Sequence, residues 1–86
     1  MMLRLKKNIA VSDTGFVFDP STGESFTVNE TGMKIIGYLK EGKSSEEITS
    51  LITQEYDIDP LSFEKYSQDF MDMLKQYNML EYEKEV

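Results

Sequence analysis

Phe26-Thr27-Val28-Asn29-Glu30-Thr31-Gly32-Met33-Lys34-Ile35-Ile36-Gly37-Tyr38-Leu39 sets the architecture of this chain. Phe26 and Val28 alternate with polar neighbours, and the alternation stops at Asn29. Met33, Ile36 and Leu39 then recur at steps of three, with Ile35 adding to the same side. A change from period two to period 3.6 across one residue marks a strand running straight into a helix. Asn29 is a favourable N-cap, because its side chain can accept from an orphan N–H of the first turn. Gly32 falls in that turn, where a missing Cβ lets another segment come close.

Upstream, Leu3, Leu5, Ile9 and Val11 all occupy odd positions, with Arg4 and Lys6 on the opposite side. That alternation predicts an extended arm or strand. The basic residues read as edge protection or ordinary solvation. Asp13-Thr14-Gly15 signals a turn, and Phe16-Val17-Phe18 a short strand. Asp19-Pro20-Ser21-Thr22-Gly23 is a stronger turn, with Pro presetting φ and Gly free to adopt positive φ. Glu24 to Val28 returns as the partner strand. Residues 16–28 are thus predicted to form a hairpin, with the arm as a third strand. Two strands alone are marginal in water, so this sheet has to lean on the helices.

Downstream, a first helix is predicted from about Glu30 to Glu41, with Gly42 at its αL end. Ser44 with Glu47 three residues later has the form of a capping box, so a second helix starts at once. Ile48, Leu51, Ile52 and Tyr56 give its apolar side. The short Gly-Lys-Ser connection makes the pair a helix-turn-helix unit. Asp59 as N-cap and Pro60 at the first helical position open a third helix reaching about Tyr77. Phe63, Tyr66, Phe70, Met73, Leu74 and Tyr77 form one broad stripe along it. Asn78 is the expected stop, Met79 and Leu80 fold back onto the core, and the chain from Glu81 frays. The expected fold is α+β: a three-stranded antiparallel sheet followed by three helices in a single domain spanning 1–86. Residues 1–8 are expected as an arm and 81–86 as a tail, both less ordered.

A chain of 86 residues lies near the size where folding buries only ~60% of the unfolded surface. It has no cysteine to add a disulfide, which fits a reducing compartment. No run reaches the ~18 apolar residues of a membrane span, and no signal-peptide core is present. A cytoplasmic protein that engages no membrane is the expectation. The net charge is −7, yet residues 1–28 are balanced, with Arg4, Lys6 and Lys7 against Asp13, Asp19 and Glu24. The acidic excess therefore belongs to the helical region, which repels phosphate backbones. Without His or Cys there is no thiolate, no imidazole base and no zinc site of the usual ligands. The glycine loops match no phosphate-binding fingerprint. Asp57 and Asp59 fail the calcium-loop pattern, because Pro60 follows and no glycine stands in step. No catalytic residue, cofactor or metal is expected.

What remains is a binding surface. If Glu24 to Val28 is an edge strand above the third helix, its free N–H and C=O groups can recruit an extended peptide. Tyr66, Phe70, Met73 and Tyr77 would floor the resulting groove. Tyrosine suits a half-wet groove, and methionine adapts to varied partners.

Several of these pieces occur together in a known order. Val28-Asn29, Thr31-Gly32, Gly42, Ser45 with Glu46-Glu47-Ile48, and Tyr56-Asp57-Ile58-Asp59 are followed by Phe70-Met71 and Leu74. Over roughly residues 9–82 this succession resembles the PqqD family, the founding example of the RiPP recognition element. Asn78-Met79-Leu80 departs from that family's common Gly-Leu-Leu end, and Tyr66 falls where an aspartate is frequent. The resemblance implies a winged-helix-turn-helix-like domain repurposed for peptide binding. It implies that a precursor's leader peptide adds as a strand to Glu24, Ser25, Phe26, Thr27 and Val28. The peptide's side chains would lie against Tyr66, Asp69, Phe70 and Met73. It further implies presentation of the precursor to a modifying enzyme, often a radical SAM protein, with no chemistry by the domain itself. Two other readings stay open at this stage: a helix-turn-helix DNA-binding domain, and an enzyme-docking subunit without a leader peptide. An open strand edge also allows either a monomer or a homodimer.

Overall fold

The computed structural model describes residues 2–83. Its elements run β1 (Met2–Leu5), β2 (Ala10–Val11), β3 (Phe16–Phe18), β4 (Ser25–Thr27), α1 (Glu30–Lys40), α2 (Ser45–Tyr56), α3 (Pro60–Gln76) and β5 (Leu80–Glu83). The α+β class, antiparallel sheet and three helices agree with the sequence reading.

Each helix begins where a side chain satisfies an orphan N–H. Asn29 Oδ1 accepts from the Gly32 N–H at 2.9 Å. Ser44 and Glu47 form the full capping box: the Glu47 N–H donates to Ser44 Oγ at 3.1 Å and the Ser44 N–H to Glu47 Oε1 at 2.9 Å. Asp59 Oδ2 accepts from the Ser62 N–H at 3.1 Å, with Pro60 in the first turn. Such caps contribute ~1 kcal/mol each. The ends are equally local. Gly42 takes φ 84°, and Asp57 and Asn78 enter the left-handed region at φ 52° and 56°.

Asn78 has the larger consequence. The αL turn there, with the Met79 N–H donating to the Leu74 carbonyl at 3.0 Å, sends Met79 and Leu80 back into the core. The chain then continues as β5 rather than fraying. β5 pairs antiparallel with β1, Met2 opposite Glu83 and Leu5 opposite Leu80. This corrects two expectations. The segment 2–11 is not one strand of the hairpin sheet, and the residues through 83 are not a loose tail. Met1 and residues 84–86, parts of the expected arm and tail, lie outside the described residues. The physical cause is a turn at Lys6-Lys7-Asn8, where the Ile9 N–H donates to the Lys6 carbonyl at 3.2 Å. Leu5 and Ile9 both reach the core, each 2% exposed, Leu5 from β1 and Ile9 from just before β2. Only Ala10 and Val11 join the hairpin, giving a sheet in the order β2-β3-β4.

The core unites both sheets and all three helices. Val17, Ile35, Ile36, Ile52, Phe63, Leu74 and Met79 are at most 2% exposed within it. Each such side chain is worth ~1.5–3 kcal/mol of burial, which lets three very short strands persist.

Candidate functional site

The turn of the hairpin is built around Asp19. Asp19, 1% exposed, accepts at one oxygen from the Ser21 N–H (2.9 Å), the Ser21 hydroxyl (2.7 Å) and the Asn8 amide (3.3 Å). The Ser21 hydroxyl first, then the Ser21 N–H, the Thr22 hydroxyl and the charge of Lys6, hold its carboxyl below the ordinary value against the opposing effect of burial. The Asp19 carbonyl closes the loop by accepting from the Gly23 N–H at 2.8 Å, where Gly23 has φ 80°.

The hydrogen-bond alternation then fixes which groups face out. The Asp19 N–H donates to the Glu24 carbonyl at 2.9 Å and the Val28 N–H to the Gly15 carbonyl at 2.8 Å. Val17 is opposite Phe26 in this register, so Phe26, like the Glu24 carbonyl and the Val28 N–H, turns its backbone groups toward the 15–19 stretch. The N–H and C=O groups of Ser25 and Thr27 therefore point away from it. β4 is the last strand of its sheet, and no described strand pairs with its outer side.

The side chains alternate the other way. Ser25 and Thr27 are exposed on the outer face, beside Phe18 and Phe16 across the hairpin. Phe26 and Val28 turn inward toward α3. The Phe26 ring stacks on Tyr77 with centroids 5.0 Å apart. Val28 and Phe70 converge on Gly32: a Cβ there would lie 2.9 Å from Val28 Cβ and 3.1 Å from Phe70 Cε1. Only glycine lets α1 start this close to both. Tyr66 stacks on Phe70 at 6.3 Å and donates its hydroxyl to Asn29 Oδ1 at 3.2 Å. β4 thus runs antiparallel along α3, its start at Tyr77 and the chain after its end at Tyr66. A hollow of about 210 Å³, lined by Asn29, Thr31, Ile58, Ser62, Phe63 and Tyr66, lies past the strand's end.

The structure thus brings Phe26, Val28, Tyr66 and Phe70 into one aromatic and aliphatic wall. Met73, half-buried, packs against the core on the same helix. Glu24, Ser25, Thr27 and Asp69 are exposed. Sequence reasoning put Tyr77 on the floor of the groove but did not pair it with Phe26, and gave Asn29 only its capping role. Nothing local signals the Asn29–Tyr66 bond, which spans 37 residues.

Among the described residues no group of His, Cys, Asp or Glu is placed to hold a metal ion. No helix among them is long and apolar enough to cross a membrane.

Three helices on a small antiparallel sheet, with a strand leading directly into α1, define an α+β domain of winged-helix type. Within that class the chain belongs to the PqqD family: residues 15–80 match the family described as Coenzyme PQQ synthesis protein D. Two solved structures are similar over nearly the whole chain. One is a lasso peptide synthetase B1 complexed with the leader peptide, 26% identical with a TM-score of 0.81, covering 95% of this chain and 100% of that one. The other is TbiB1 in complex with the TbiA(beta) leader peptide, 28% identical with a TM-score of 0.82, covering 95% and 99%. No curated protein matches the chain.

Proposed function

We propose that this protein is a non-catalytic peptide chaperone. It binds the leader segment of a ribosomally synthesised precursor by adding it as a strand to β4, and presents that precursor to a modifying enzyme such as a radical SAM protein. The carrying observation is the outward-facing backbone of Ser25 and Thr27 beside the wall of Phe26, Val28, Tyr66 and Phe70. A peptide seated there gains main-chain hydrogen bonds from the edge and burial of alternate side chains against α3. Membership of the PqqD family supports the reading, as do two similar structures described as leader-peptide complexes. The whole chain acts as one domain, in the cytoplasm where precursors are made. It leaves the chemistry to its partner, having neither His nor Cys for an acid–base or nucleophilic role. DNA binding fits poorly, because exposed Glu64, Asp69 and Asp72 outnumber Lys65 and Lys75 on α3.

Titration of the 15N-labelled protein with the leader encoded beside it tests the proposal. Amide shifts should concentrate on residues 24–28 and on the Tyr66–Met73 stretch of α3. Shifts scattered elsewhere would count against strand addition.

A further inference from the structure

Asn29 does two things with one oxygen. Its Oδ1 accepts from the Gly32 N–H at 2.9 Å, which caps α1, and from the Tyr66 hydroxyl at 3.2 Å. A backbone N–H can only donate, so the oxygen of this amide has to face Gly32, and the Tyr66 phenol is then the donor of the second bond. Both lone pairs of the oxygen are thereby used. The second bond ties α3 to the junction of β4 and α1 across 37 residues of chain. Capping alone does not require it, since serine, aspartate or glycine hold a helix N-terminus nearly as well. Ser44 and Asp59 cap α2 and α3 with bonds confined to their own first turns.

The place of this bond in the site gives it a second use. The backbone groups of Ser25 and Thr27 face outward, and the next outward place in that alternation is residue 29. A strand that follows the edge past Thr27 arrives at Asn29, beside Tyr66 and the hollow of about 210 Å³ that both residues line. Tyr66 is 37% exposed, its ring resting on Phe63 at 6.2 Å and Phe70 at 6.3 Å. A half-exposed aromatic side chain has more than one staggered rotamer open to it, and the bond to Asn29 selects one. Resting on the strand-addition reading above, we propose that Asn29 is a positioning residue of the peptide site. It fixes Tyr66 in the rotamer that completes the wall, so the arriving peptide does not have to order that side chain. Ordering side chains at the moment of association weakens an interface. The bond itself strengthens once the peptide shelters it from water. Asn29 thus acts on the peptide through Tyr66.

Two variants break the bond from opposite ends. Asn29→Gly leaves α1 a serviceable cap and removes the acceptor, whereas Tyr66→Phe keeps the ring and removes the donor. Thermal melts should change little for either. Vicinal Hα–Hβ couplings of residue 66 should report one rotamer in the wild type and rotamer averaging in both variants. With the labelled leader peptide of the neighbouring precursor gene as probe, fluorescence anisotropy should show each variant binding about fivefold more weakly, the size of one net hydrogen bond. The double variant should bind no more weakly than either single one, because both changes break the same bond. Asn29→Asp restores an acceptor of the same reach and should recover most of the affinity that the glycine variant loses. Losses that multiply in the double variant, or a single Tyr66 rotamer in Asn29→Gly, overturn the positioning role. Unchanged affinity in both single variants overturns it too, and amide shifts on residues 24–28 would then leave strand addition standing. No binding by the wild type, or shifts away from residues 24–28, overturns both readings.

Discussion

β1 and β5 face each other over four residue pairs, from Met2–Glu83 to Leu5–Leu80, whereas β2, β3 and β4 stand in a row whose last member has an unpaired side. The two sheets are similar in size but differ in what their strands carry. β5 reads Leu-Glu-Tyr-Glu and is tied to β1 partly by Arg4 and Glu81, 3.8 Å apart. β4 reads Ser-Phe-Thr and has no charge at all. Charged strands resist further pairing, and an uncharged, unpaired one invites it. Both sheets have unpaired outer sides; the first joins the chain to itself, and the second carries the uncharged edge proposed to take the peptide. Joining and proposed binding thus fall to separate sheets, so one can be altered without the other.

The sharpest way to break that separation is at the closing sheet. Leu80→Ala, at a residue 9% exposed, should cost ~2–4 kcal/mol of stability by urea unfolding, through lost burial and an unfilled space. Peptide affinity measured on the folded fraction should not change. A parallel loss of affinity would show that the two sheets are coupled. Gly32→Ala is the next largest, at the point where α1, β4 and α3 meet. Its Cβ would press on Val28 and Phe70, costing ~1–3 kcal/mol as overpacking does. Because both neighbours are wall residues, peptide affinity should fall with stability.

Proline at adjacent strand positions sharpens the comparison. Thr27→Pro removes an outward N–H, so stability should move by no more than ~1 kcal/mol while peptide affinity drops about tenfold. Phe26→Pro removes an inward N–H and the Tyr77 stack, so it should instead lower the melting temperature markedly. The smallest effect concerns pH. The Asp19 carboxyl is held below its ordinary value by the Ser21 hydroxyl and its other donors. Its contribution to hairpin stability is therefore present above the ordinary carboxylate range and lost as pH falls through the lowered value. Asp19→Asn should flatten that acid-side decline in thermal melts.

How much of this was legible in the sequence depends on how far apart the interacting residues lie. Asn29, Ser44 with Glu47, and Asp59 with Pro60 act within one turn of their own positions, and the chain announces them directly. Gly32's close approach was readable as a need for space, but not that Phe70 and Val28 would fill it. The division of residues 2–11 between two sheets was not readable. The turn at Lys6-Lys7-Asn8 has no glycine or proline, and alternation of Leu3, Leu5, Ile9 and Val11 carries straight through it. β5 was hidden for a related reason. Glu81-Tyr82-Glu83 reads as a charged, solvated end, and only the αL conformation of Asn78 aims it at β1. In the site, the helical stripe supplied Tyr66, Phe70 and Met73, and the edge strand followed from the hairpin. The Phe26–Tyr77 stack and the Asn29–Tyr66 bond depend on how β4 lies along α3, which periodicity cannot express.

The pairing of Met2 with Glu83 means that the polypeptide enters and leaves this fold at one spot, on the sheet that takes no part in the proposed groove. A unit with neighbouring ends can be spliced into a surface loop of a host protein, or have its termini relocated, with little strain on either partner. Such a transplant would place the β4 edge beside whatever machinery the host provides, and the receiving loop need span little more than the gap between two adjacent strands.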